Sequence, residues 1–112
     1  NGTKKGDNKM LSIHVKLKSA KDAALFVAAC EPYKDYIGDY KYGRTVIDFC
    51  SLLGLISVGF DHVCEVILHC DDEKVCNDFK NDMALWTTDE PLDIATINLF
   101  SLLPSIYQIS FQ

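Results

Sequence analysis

Two stretches of two-residue alternation, each followed by a run with helical spacing, constrain this chain more than any other feature. Leu11, Ile13, Val15 and Leu17 alternate with Ser12, His14 and Lys16, which predicts a strand with one buried face. Between Val63 and Cys70 the pattern returns, with Val66, Leu68 and Cys70 against Glu65, Ile67 and His69. Behind the first strand, Ser19 precedes an alanine-rich run from Ala20 to Cys30. A serine cap and Asp22 in the first turn predict a helix there, and Pro32 closes it. Behind the second strand, residues 72–86 begin with acids and place Val75, Phe79, Met83 and Trp86 at helical spacing.

The middle of the chain carries turn chemistry. Tyr36, Ile37 and Tyr40 lead into Gly43-Arg44 and then Thr45-Val46-Ile47-Asp48, a predicted hairpin. Ser51 to Gly59 reads as a short helix with a serine in front and a glycine behind. The order is therefore β-α-β-β-α-β-α. This predicts an α+β open-faced sandwich, a four-stranded antiparallel sheet with its helices on one face.

The chain has 112 residues, enough for one domain with a single core and no metal or disulfide staple. Its net charge of -5 argues against nucleic acid or an anionic membrane as the main partner, since both need a basic surface. No apolar run reaches the roughly 18 residues that span a bilayer. Five cysteines, an odd number without C-x-x-C or metal-finger spacing, are expected as free, small apolar side chains in a cytoplasmic protein. Residues 1–9 hold two glycines and no apolar residue and are expected as a flexible tail, with Met10 as the natural start. Residues 10–86 then form the domain and 87–112 a C-terminal extension.

The element order, together with two motifs inside it, resembles the histidine-containing phosphocarrier protein HPr of the bacterial sugar phosphotransferase system, over roughly Met10 to Trp86. The first motif is Lys21-Asp22-Ala23-Ala24-Leu25-Phe26-Val27, similar to the helix that follows the family's phosphoryl-accepting histidine. The second is Ser51-Leu52-Leu53-Gly54-Leu55-Ile56-Ser57-Val58-Gly59, similar to the family's regulatory serine helix.

The resemblance implies a phospho-site at the tip of the first helix, where free N–H groups and the dipole hold the phosphoryl group. In this sequence Ser19 stands at the histidine position, Lys21 at that of an arginine and Asp22 at that of a proline. A serine ester is stable where a phosphoramidate is labile, and lysine lacks the bidentate fork. Asp22 sets a carboxylate beside the expected phosphate. At about 5 Å and an effective dielectric near 20, two unit charges repel by roughly 3 kcal/mol. The expectation is a degenerate site: no catalytic residue, no enzyme, no cofactor and no metal. Ser19 reads as a plain cap; on the competing view the unconventional acceptor is either Ser19 or a displaced His14.

Ser51 is a regulatory phosphosite if the family's kinase reads it, or simply a cap. Cys50 stands where a basic or polar residue is usual. Leu52, Leu53 and Ile56 form a partner-binding patch or pack inward, with Leu55 and Val58 facing the core. His14 and His69 are expected on the polar sheet face as cross-strand neighbours, and His62 in a turn.

In the extension, Thr88-Asp89-Glu90-Pro91 reads as a helix start. Tyr107, Ile109 and Phe111 alternate as a strand would. An apolar strand must be paired or covered, so residues 105–111 are expected on an open sheet edge, with a homodimer as one form, or packed across the exposed face. The function expected from all this is a non-catalytic binding or regulatory module whose partner is a protein, with an active phosphocarrier as the alternative.

Overall fold

The computed structural model describes residues 9–92. It has the βαββαβα layout: β1 (Met10–Leu17), α1 (Ala20–Cys30), β2 (Ile37–Tyr42), β3 (Thr45–Asp48), α2 (Leu52–Val58), β4 (His62–His69) and α3 (Glu73–Asp82). A single 3-10 turn, Glu31–Tyr33, follows α1. The strands form one antiparallel sheet in the order β1-β4-β2-β3. β4 is thus an inner strand, and its alternation sets both faces of the sheet.

Register explains the alternation. Val15 lies opposite Cys64, Ile13 opposite Val66, and Tyr40 opposite Val66 on the other side. These side chains all point to the helical side and are buried. Phe26 of α1 packs edge-to-face on Trp86, with centroids 5.4 Å apart, and on Tyr40 at 6.0 Å. Phe79 of α3 meets Tyr33 at 5.0 Å. Such pairs add about 0.5–1.5 kcal/mol each beyond the area they bury. Tyr33 also donates from its hydroxyl to Asp82 Oδ2 at 2.5 Å, tying the 3-10 turn to the end of α3. Burial and that carboxylate push the Tyr33 phenol well above its ordinary value.

The hairpin turns at Gly43-Arg44 with Gly43 at φ 68°, a positive φ that glycine takes without strain, as in a type II′ turn. Gly38 has a different reason to be glycine. It faces the helical side opposite Leu68, and a Cβ there would lie 2.3 Å from the ring of Phe49. The buried Phe49 ring fills the space a side chain would take.

Two expectations change at the end of the domain. The expected helix 72–86 stops at Asp82, because the chain turns over Met83–Trp86 to reach the outer edge of β1. There Lys16 N donates to Trp86 O at 2.9 Å and Thr88 N to His14 O at 3.0 Å, and Val15 and Thr87 form an antiparallel bridge. For the same reason no helix begins within Thr88–Leu92. The remaining expectations for the extension, including a strand and homodimer contact at 105–111, lie outside the described residues, as does the tail over residues 1–8. No helix among the described residues is long and apolar enough to cross a membrane.

Two measurements check this packing. Gly38→Ala should lower stability by about 1–3 kcal/mol, the usual penalty for forcing atoms into a filled core, seen as a lower urea midpoint with an unchanged slope. Stability should also fall as pH rises above the ordinary tyrosine value of 10.0. The unfolded Tyr33 then loses a proton that the folded one keeps. Tyr33→Phe should soften that alkaline loss in pH-dependent urea melts.

Candidate functional site

Two helix starts hold Ser19, Lys21 and Asp22 at one and Ser51, Leu52, Leu53 and Ile56 at the other. At the first, Ser19 is extended (φ −161°, ψ 169°) and caps α1. Its Oγ accepts from Asp22 N at 3.2 Å, and its carbonyl accepts from Ala23 N at 3.0 Å. The Asp22 carboxylate reaches back and accepts from Lys18 N at 2.9 Å. The pair is a capping box shifted by one residue on its return arm. Two N–H groups at this helix entry are thus answered by the chain's own oxygens, one of them anionic. Lys21 is exposed on the first turn and keeps a positive charge near the tip. Ser19, Lys21 and Asp22 therefore do lie together, in a self-contained cap.

At the second start, Ser51 caps α2, its Oγ accepting from Gly54 N at 3.1 Å. Asp48 prepares the approach: its side chain accepts from Cys50 N at 2.7 Å and its carbonyl from Ser51 N at 3.0 Å. A Cβ on Gly54 would stand 2.9 Å from Ile47 Cδ1, so the glycine lets α2 sit close on β3. Leu55 turns inward and is buried, and Val58 packs half-buried against the core. Leu53 is 81% exposed, Ile56 39% and Leu52 36%. The three outward residues thus form an apolar surface over little more than one helical turn, beside the Ser51 cap. α1 and α2 pack on each other.

The histidines depart from expectation. His14 and His69 do share the open face, but His14 lies opposite Glu65 and His69 opposite Met10, four positions apart along the ladder. They are not neighbours. His69 Nε2 instead meets Asp39 Oδ2 at 3.0 Å, and His14 Nδ1 donates to Glu90 O at 3.2 Å. His62 is the first residue of β4, and its ring stacks on Tyr42 at 4.4 Å. The Asp39–His69 pair and the reach of Glu90 escaped sequence reasoning because both follow from register and from edge pairing. No group of three or more metal-ligating side chains forms among the described residues.

The five thiols are free, with Cys30, Cys64 and Cys70 buried and Cys50 and Cys76 half-buried. Burial pushes the Cys30, Cys50 and Cys76 thiols up, and nearby acids add to the effect. These are packing residues, poor in thiolate and so poor nucleophiles. No family model matches the chain and no curated protein matches it.

Ser19→Ala should cost about 1 kcal/mol, the usual worth of an N-cap. Leu53→Ser should change stability by less than about 0.5 kcal/mol, as expected at an exposed position. Chemical denaturation of both variants checks the contrast between a working cap and an outward apolar side chain.

Proposed function

We propose that this chain is a degenerate HPr-like protein, a non-catalytic module that binds or regulates a protein partner related to the sugar phosphotransferase system. The observation that carries this reading is the closed cap of α1. A relay site needs an imidazole and open amides at a helix tip. Here a hydroxyl and a carboxylate already hold the Asp22 and Lys18 N–H groups, and a phosphoryl group would meet the Asp22 charge at close range. The βαββαβα layout and the serine-capped α2 support kinship with the phosphocarriers.

The alternative, a carrier with an unconventional acceptor, has less behind it. His14 projects from the open side of the sheet, opposite to the helices, with its Nδ1–H given to Glu90 O. Ser19 Oγ is an acceptor in the cap and would yield an ester too stable to pass on.

In this reading α2 is the contact element. Leu52, Leu53 and Ile56 present an apolar surface to a phosphotransferase-system protein, and phosphorylation of Ser51 at its edge is the proposed control. A dianion there would gain the helix-end amides and bring new charge to the rim of the patch.

Incubation with phosphoenolpyruvate and the first phosphotransferase enzyme should leave the mass of this protein unchanged. A stoichiometric, acid-labile phosphoryl adduct would overturn the non-carrier reading. Leu53→Asp should weaken binding to the purified first enzyme or to the family's serine kinase by tenfold or more, the scale of a central apolar contact. Unchanged affinity for both would remove α2 as the contact element.

A further inference from the structure

The turn that joins β4 to α3 sets two cysteines against each other. Cys70 directly follows β4 and is buried, 6% exposed. Its Sγ accepts from Asp72 N at 3.4 Å, which holds the thiol in the turn. Cys76 N donates to Asp72 O at 3.0 Å, so Cys76 completes the first turn of α3. Helical side chains lean toward the N-terminus of their helix. Cys76 accordingly points back at the chain that enters α3. Its thiol donates to Cys70 O at 3.6 Å, and the two thiols also lie within hydrogen-bond reach of each other.

The pair differs in access. Cys70 belongs to the core, whereas Cys76 is half-buried and packs against it. A small reagent in solution therefore meets Cys76 first, with Cys70 placed to finish the reaction. Burial and the neighbouring Cys70 push the Cys76 thiol up, Asp72 adds to this and Lys80 opposes it. Only a thiolate attacks, so Cys76 reacts slowly near neutral pH. The same property makes its sulfur a poor leaving group once bonded. Such a site forms a durable bond slowly and is unsuited to rapid redox turnover.

We propose that Cys70 and Cys76 are a dithiol modification site, closed by a small glutathione-type disulfide into an intramolecular disulfide that staples the entry of α3 to the end of β4. In the first step Cys76 gives its proton to solvent and its sulfur attacks the small disulfide. That S–S bond breaks, and one small thiolate leaves and takes up a proton. Cys70, deprotonated in turn, then attacks Cys76 Sγ of the mixed disulfide and expels the second small thiol. The two cysteines lose two electrons and two protons, and the small disulfide gains them. The closed loop, residues 70–76, encloses Asp72, whose carboxylate caps α3 by accepting from Lys74 N and Val75 N. Closing a loop removes freedom from the unfolded chain, so the oxidised form should be the more stable one. This assignment is independent of the phosphocarrier reading.

The test incubates the folded full chain with oxidised glutathione at mildly alkaline pH, then blocks the remaining thiols and maps the product by mass spectrometry. Tryptic cleavage after Lys74 parts the two cysteines. They should therefore appear as two peptides joined through Cys70 and Cys76, separable by a reductant. The linked protein should have a higher urea midpoint than the reduced one, and Cys76→Ser should show neither the link nor the rise. Thiols that all stay free, a mixed disulfide that never closes, or a link that bypasses either cysteine would overturn the proposal. A linked form with an unchanged midpoint would overturn the stapling role.

Discussion

The pairing of β4 with β1 on one side and β2 on the other is the constraint on which the remaining architecture depends. Because side chains alternate across a strand, that register sends Cys64, Val66 and Leu68 to the helices and Glu65, Ile67 and His69 to the opposite face. A slip by one residue would exchange the two sets and leave charge in the core. Everything above the sheet is then built to meet one apolar surface. Phe26, Leu55 and Phe79 descend from the three helices, and Phe49 occupies the space left by Gly38.

Helix caps decide what the helical side can do chemically. Ser19 and Ser51 play the same local part, each accepting from an N–H three residues on. Their surroundings separate them. The α1 tip is closed by Asp22, a carboxylate turned back on the chain. The α2 tip has its carboxylate, Asp48, engaged one step earlier with Cys50 N, and continues into an outward row of leucine and isoleucine. One helix end carries a carboxylate turned back on its own entry, and the other stands beside an apolar surface. That difference supports binding in preference to phosphoryl transfer.

Much of this was legible in the residue pattern. Alternation in 11–17 and 63–70 marked two strands, Gly43-Arg44 marked the hairpin, and both serine caps were visible with their helices. Such signals are local, carried by propensity and period. Relations between distant segments were not legible. Nothing in the sequence near Phe49 announces that its ring occupies Gly38's side-chain space. His14 and His69 share a face, but only the register shows them four positions apart. Helical spacing carried the reading of α3 through Trp86, while the backbone ends the helix at Asp82 to pair Thr87 with β1. At the candidate site, the residue types at 19, 21 and 22 were readable and their hydrogen bonds were not. The bonds from Asp22 N to Ser19 and from Lys18 N to Asp22 leave the cap position occupied by the chain's own oxygens.

The most direct test of that occupied position is a titration of the full chain with inorganic phosphate, followed through the backbone amide resonances of Ala20, Lys21, Asp22 and Ala23. A tip closed by Ser19 and Asp22 predicts no saturable shift at these amides through the millimolar range. Saturable shifts centred on them would show that the helix end still accepts a phosphate, and would contradict the account.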